Sequence, residues 1–424
     1  MVEVWLPYGR TEISVRIPDE GFQGIIESKD GPSARDPLVE TTQALENPVD
    51  SKPLASMVSA GEKVAVVIDD ATRPAPTRLM MSSLVTQLSE SGVRMEDVTV
   101  IVATGMHRPP TSGEIAAFLD EELAGRVKVV SHDCKAEDLA YVGDTSRGTK
   151  VYLNKEFVAA DVRILTGDIE LHYFAGYGGG RKSVLPGISG AKTILHNHAL
   201  LLHPRARPGI LDGNPVSEDM REAAEMAKVD FILNVVLDRK DKIVKAFSGN
   251  LRKAFTGGVR IVDNMCKVSC EARADIAVVS PGGHPRDLTL YQALKAVHHA
   301  LDIVNEGGAI VLIAECPEGH GNDTFRDWMI KFDELRQMEQ EIKKRFVIGG
   351  HKAYFLAKAL KRVKVYLLST MPDHYVSRVF KLRPYETANA ALQAALRGVG
   401  KDSKVVAIPH GAVTLPTFPV TDRT

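Results

Sequence analysis

Short β-branched runs alternating with amphipathic helices constrain this chain more than any other feature. Lys63-Val-Ala-Val-Val-Ile68 is a continuous apolar run of strand length, as expected of a strand buried on both faces. The loop Asp69-Asp-Ala-Thr-Arg-Pro-Ala-Pro follows. A helix then runs to Gly92, with Met80, Met81, Leu84 and Leu88 at helical spacing and the glycine in the usual stop position. Val98-Thr-Val-Ile-Val102 is the next strand, and Ala103-Thr-Gly-Met-His-Arg-Pro-Pro is its exit loop. Such a unit predicts parallel strands joined by a right-handed crossover. Val127-Lys-Val-Val130 and Val162-Arg-Ile-Leu165 extend the same sheet.

Residues 230–247 read as two strands around a charged turn, and a second block of the same kind starts near residue 274. There Ile276-Ala-Val-Val279 leads into Ser-Pro-Gly-Gly-His, then a helix over 287–305, then Ala309-Ile-Val-Leu-Ile313. Strands at Val363 to Leu368 and Val405 to Ile408 complete it. The expected fold is two α/β domains with mainly parallel sheets, residues 1–270 and 271–424, with the active site in the cleft between them. A length of 424 residues fits two or three domains.

The formal net charge of −1 offers no global attraction for nucleic acid or an anionic membrane, so recognition must be local. No apolar run reaches the roughly 18 residues a membrane span requires. Met1-Val-Glu-Val-Trp-Leu-Pro-Tyr reads as a strand, without the basic-then-apolar pattern of a signal peptide. Four cysteines, Cys134, Cys266, Cys270 and Cys316, form no framework of spacings, which suits reduced thiols in a cytoplasm. Cys266 and Cys270 read as two small core residues that could share a helix face.

The chemistry concentrates in one segment. Asp168-Ile-Glu-Leu-His-Tyr-Phe-Ala-Gly-Tyr-Gly-Gly-Gly-Arg-Lys182 is followed by Pro186-Gly187 and by Lys192-Thr-Ile-Leu-His-Asn-His198. Without Cβ atoms the glycine run lets backbone approach a ligand. Near it stand Lys182, a candidate for desolvation, and three metal-capable imidazoles, His172, His196 and His198. Asp70 to Arg73, Thr104 to His107 and this segment all leave carboxyl ends of parallel strands, where open α/β sheets bind ligands. Arg73 sits where a guanidinium and a helix entry can take an anion. In the later helix, Leu290, Leu294, Val297, Leu301 and Val304 form the core stripe, and Tyr291, Gln292 and Lys295 lie on the other side.

The usual cofactor signatures are missing. The glycine spacing before Lys182-Ser183 is not that of a phosphate-binding P-loop, and no G-x-G-x-x-G with its ribose acid occurs. His-Glu-x-x-His is absent too, and helical spacing turns His196 and His198 to different faces. From these residues alone, a zinc-dependent hydrolase using His172, His196 and His198 stays open. So does a non-catalytic phosphate- or nucleotide-binding protein.

Asp70-Ala-Thr-Arg-Pro, Thr104-Gly-Met-His-Arg, His172 with Ala-Gly-Tyr-Gly-Gly-Gly-Arg-Lys182, Asn197-His198 and Tyr291-Gln-Ala-Leu-Lys295 together resemble the nickel-dependent lactate racemase family. The ordered motifs cover residues 65–320. The resemblance implies an isomerase that racemises or epimerises 2-hydroxy acids by reversible hydride transfer from substrate C2. It implies a nickel-pincer nucleotide, Ni(II) pyridinium-3-thioamide-5-thiocarboxylic acid mononucleotide, bound covalently at Lys182, with His198 as the protein ligand to nickel. Asp70, Thr72, Gly178 and Gly179 are the further cofactor contacts, held by the N-terminal domain, while the C-terminal domain closes over the substrate. His107 and His172 are the acid–base pair on opposite faces of C2; Arg73 and Lys295 hold the carboxylate, with Gln292 and Tyr291 alongside. Implied partners are the small 2-hydroxy acid and the enzymes that build the cofactor, with neither nucleic acid nor membrane involved. A tryptophan that lactate-acting members set against the substrate has no counterpart in Trp5 or Trp328, and His351 is nearer that position. With the bulk of Phe174, this predicts a 2-hydroxy acid larger than lactate.

Overall fold

The computed structural model describes residues 1–419, which divide into two compact units, one of residues 30–265 and one of residues 1–29 with 266–419. In the first unit six strands lie in the order Ile243–Gly249, Phe231–Leu237, Val162–Asp168, Val64–Asp69, Val98–Ala103, Lys128–Ser131. All neighbours are parallel except Ile243–Gly249, which runs antiparallel to Phe231–Leu237 at the edge. The five parallel strands therefore have the spatial order 3-2-1-4-5 in chain sequence. The chain reverses direction between Val64–Asp69 and Val162–Asp168, and the crevice outside the carboxyl ends at that switch point is where such sheets take ligands.

The β-branched runs form strands because both faces are covered. Val64, Val66 and Ile68 pack with Met80, Leu84 and Leu88 of the Thr77–Glu90 helix in one fully buried cluster. At roughly 25 cal/mol per Å² of apolar surface removed from water, such side chains contribute about 1.5–3 kcal/mol each.

The second unit carries six parallel strands in the order Arg383–Pro384, Lys364–Leu368, Val304–Ile313, Ala274–Val279, Val405–Ile408, Phe22–Ile25. Here the structure corrects the expected boundary. Residues 1–29 belong with the later block rather than with 30–270. The hairpin Val2–Tyr8/Thr11–Ile17 buries Val4, Leu6, Val15 and Ile17 against Ile276, Val278 and Val311, and Phe22–Ile25 adds the edge strand beside Val405–Ile408. The hairpin's alternation is visible in sequence, but its partners lie some 260 residues away.

The expected helix over 287–305 is shorter, Leu290–Ala300. Thr289 caps its start by accepting from the Gln292 amide, and the next strand already begins at Val304. Cys266 ends the helix Leu251–Cys266 and Cys270 follows the strand Lys267–Ser269, so the two share no helix face. No helix among the described residues is long and apolar enough to cross a membrane.

Candidate active site

Within residues 30–265 the loops leaving Asp69, Ala103 and Asp168 gather Asp70, Arg73, His107, Asp168, Glu170 and Lys182. Asp70 is buried and organises its own loop. Its Oδ1 accepts from the Thr72 amide at 3.0 Å and the Thr72 hydroxyl at 2.6 Å, and its Oδ2 lies 2.6 Å from His107 Nδ1. Burial alone would raise its pKa, but the bonds from His107 and Thr72 outweigh it and hold the carboxyl below its ordinary value. An ionised Asp70 can only accept, so His107 Nδ1 carries the proton and Nε2 presents a lone pair. With 41% of its side chain exposed, His107 is open to a small molecule.

Lys182 sits on the short 3-10 turn Gly180–Ser183. Asn234 fixes that turn: its Oδ1 accepts from the Gly180 amide at 3.0 Å and its Nδ2 donates to the Gly167 carbonyl at 3.0 Å. Burial, then the Arg73 charge, pushes the Lys182 amine down to about 7, with Glu170, Asp69 and Asp168 only partly offsetting them. Burial pushes Asp69 up to about 6; Asp168 goes well above its ordinary range through burial and the charges of Glu170 and Asp69. Arg73 Nη1 lies 3.5 Å from Glu170 Oε1, and burial works against its charge. Glu170, Asp69, Asp168 and Asp70 together still hold the guanidinium above its ordinary value.

The glycines act differently from the open cradle the sequence suggests. A Cβ on Gly179, at φ 78°, would lie 2.6 Å from the Asp168 carbonyl oxygen; one on Gly178 would lie 3.2 Å from Glu170 Cγ. The bare backbone seats the loop on its own strand end, and this brings Lys182 over the acids. An anion cradle would need that space open.

The histidines separate by role. His172 is buried, and its Nδ1 accepts from the Ala175 amide at 3.2 Å, which leaves the proton of the neutral ring on Nε2. His198 Nδ1 is 3.1 Å from Asn197 Oδ1. The amide orientation is set because Asn197 Nδ2 donates to Val216 O at 3.1 Å and Asp219 Oδ2 at 2.8 Å. His198 therefore donates from Nδ1 and, as a neutral ring, carries its lone pair on Nε2; burial, then Lys182, depresses its pKa to about 3. The Phe174 ring packs edge-on against both imidazoles, at 4.6 Å from His172 and 5.2 Å from His198. Phe174 is 2% exposed, so its bulk braces the two rings and is no measure of room for a substrate side chain. His196 is exposed and its Nδ1 meets Thr149 Oγ1 at 2.8 Å. Among the described residues no three His, Cys, Asp or Glu side chains converge as a metal site, so the His172–His196–His198 ligand set of the zinc reading is not assembled.

In the other unit Tyr291, Gln292 and Lys295 occupy the first turns of the Leu290–Ala300 helix. Burial pushes the Tyr291 hydroxyl up to about 12. Lys352, from the Gly350–Arg362 helix, is buried with its Nζ 5.2 Å from the Tyr291 ring centre; burial and Lys295 press its amine down to about 7. His351 lies edge-on to Tyr291, ring centres 6.3 Å apart. Trp328 fills the space beside Gly350, where a Cβ would come within 2.6 Å of the indole. The sequence reading missed Lys352, and it gave no role to Asp168 or Glu170; a lysine inside an apolar helix face was the available signal for the first.

Residues 8–209 match the lactate racemase N-terminal domain and residues 269–415 the lactate racemase C-terminal domain. The chain belongs to the lactate racemase family. A lactate racemase of Thermoanaerobacterium thermosaccharolyticum is 34% identical over 97% of this chain and 98% of its own length. One of Lactiplantibacillus plantarum is 32% identical over 97% and 99%. The structure of the lactate racemase apoprotein from T. thermosaccharolyticum superposes with a TM-score of 0.90 at 33% identity, covering 98% of this chain and all of that one. A Thermotoga maritima protein, 20% identical with a TM-score of 0.66 over 92% of this chain and all of that one, shares the fold. As a member of the lactate racemase family the chain is an isomerase, a racemase.

Proposed function

We propose that this racemase interconverts the enantiomers of a short 2-hydroxy acid, with lactate the first substrate to test. We place the reaction at Arg73, His107 and His172 beside a nickel-pincer nucleotide tethered to Lys182. The observation that carries the reading is the pairing of Lys182, an amine depressed to about 7, with His198, an imidazole kept neutral and aimed by Asn197. An uncharged amine is what an acyl-type linkage needs, and a neutral, oriented imidazole is what a soft divalent metal needs. In this reading Asp70, Thr72 and the backbone of Gly178 and Gly179, whose missing Cβ atoms let the loop pack on Glu170 and Asp168, complete the cofactor contacts. When bound, the group supplies a carbon that accepts the C2 hydride and returns it.

The chain's own residues do the rest. Arg73 holds the substrate carboxylate, and the family resemblance gives Lys295, with Gln292 and Tyr291, the same task. His107, its Nε2 bare, takes the proton of a C2-hydroxyl on its side. His172 begins as an Nε2–H donor, suited to hydrogen-bonding the oxygen on the opposite face. To accept a proton at Nε2 it must carry one on Nδ1, which lengthens the contact to the Ala175 amide. The relatives named above are lactate racemases, and with Phe174 packed on the histidines, lactate replaces the larger acid suggested by sequence. Cofactor-building enzymes are the implied partners, so chain made in a host lacking them should be inactive. The test is to co-express it with such enzymes, supply nickel and follow L- to D-lactate by chiral chromatography. Loaded enzyme that leaves lactate and other 2-hydroxy acids unchanged would refute the proposal.

His198→Ala should lose nickel from the loaded protein, while His196→Ala should keep it and lose at most about 1 kcal/mol with its Thr149 bond. Metal analysis of the two variants checks this; equal nickel loss would return both histidines to one metal site.

A further inference from the structure

Asp219 stands on the helix Pro215–Met226 and is fully buried, and among the described residues no ion pair reaches its carboxylate. Hydrogen bonds take the place of a cation. Thr145 Oγ1 donates to its Oδ1 at 2.5 Å, while Thr149 Oγ1 at 2.9 Å and Asn197 Nδ2 at 2.8 Å donate to its Oδ2. The two threonines close the turn between the strands Ala140–Asp144 and Lys150–Leu153, where the Thr145 amide donates to the Thr149 carbonyl at 3.0 Å. One acid thus ties together a hairpin, its own helix and the helix Ala191–Ala199 that carries Asn197 and His198. Burying a carboxylate has a free-energy cost that an apolar side chain of similar size would not have, so packing alone does not call for an acid here. What the acid supplies is direction, because three donors converge on oxygens that accept.

Asn197 passes that direction on. It is fully buried, and its Nδ2 has two acceptors, Asp219 Oδ2 and the Val216 carbonyl at 3.1 Å. Turning the amide over would lose both bonds and set Oδ1 against two oxygens. Oδ1 is therefore kept for His198 Nδ1, 3.1 Å away. A ring nitrogen facing a carbonyl oxygen must donate, so the neutral imidazole carries its proton on Nδ1 and its lone pair on Nε2.

We propose that Asp219 is a positioning residue for the metal ligand: through Asn197 it holds His198 in the Nδ1-protonated form and keeps the Nε2 lone pair for a soft divalent metal. Nickel at His198 rests on the function proposed above, whereas the tautomer is a property of the metal-free chain and is read without any metal. Asp219 touches neither substrate nor cofactor in this arrangement and acts only through the amide between them.

Long-range proton–nitrogen NMR of the histidine rings in the metal-free full chain reads the tautomer, with His198→Ala supplying the assignment. The expected result is a protonated Nδ1 and a bare Nε2 on His198. Asp219→Ala leaves only the Val216 carbonyl to hold the amide, so the two ring nitrogens should move toward a common shift as the tautomers exchange. Asp219→Asn can keep its oxygen toward Asn197 and turn its NH₂ to Thr145, and should restore the wild-type spectrum. Thr145→Val loses a bond to the other carboxylate oxygen and should leave His198 unchanged, a contrast that a merely structural role would not give. In chain loaded by co-expression, Asp219→Ala should bind nickel about 10–100-fold more weakly against a competing chelator. Should Asp219→Ala fail to fold, Asn197→Ala carries the same test, since it removes the acceptor itself. A His198 protonated on Nε2 in the wild type, an unchanged tautomer in the folded variant, or an equal shift in Thr145→Val would each overturn the assignment.

Discussion

Lys182→Ala should yield a folded protein that carries no covalent adduct and shows no measurable racemisation. The fold survives because Asp69 and Asp168, the acids left without the amine, are already pushed toward their protonated forms, and Arg73 remains beside them. The stability change should stay within about 2 kcal/mol. Lys182→Arg sharpens the test. It restores a cation over the acids, but a guanidinium stays charged and cannot form the linkage, so it too should be bare and inactive. Intact-protein mass and a chiral assay on co-expressed protein read both outcomes. An adduct in either variant would move the attachment point elsewhere.

The next largest loss is expected at the Asp70–His107 pair. His107→Ala removes the proton acceptor and should lower kcat by about 10²–10⁴-fold, the usual contribution of a positioned acid–base group. Asp70→Asn leaves the imidazole in place but exchanges an obligate acceptor for an amide. That amide can donate to Nδ1 and drive the proton to Nε2, where a base must be bare. Its kcat should fall nearly as far with KM little changed, since Arg73 still meets the carboxylate. A variant with normal kcat would show that Asp70 serves only its Thr72 turn.

Much of this site was readable before folding. Buried strands and their exit loops follow from local runs of β-branched and turn residues, and so do Asp70, Arg73, His107 and Lys182 at strand ends. Other features required the fold. The hairpin of residues 1–17 alternates cleanly, yet nothing local says that it packs on Ile276 and Val311. The glycine run reads as ligand space; only the approach of Gly179 to the Asp168 carbonyl shows that it packs the chain on itself. Phe174 reads as pocket bulk until its edges are found on His172 and His198. The difference between His196 and His198 was legible as helical phase, but Asn197 as the residue that aims His198 was not.

In the proposed reaction the C2 hydrogen travels as a hydride held within the site while His107 and His172 handle only the hydroxyl proton. Racemisation of C2-deuterated lactate by cofactor-loaded enzyme in ordinary water, followed by mass spectrometry of both enantiomers, tests it most directly. Deuterium should be retained at C2 in substrate and product alike through full equilibration. Exchange of the label for solvent hydrogen at the rate of racemisation would mean that C2 loses a proton instead, and would contradict it.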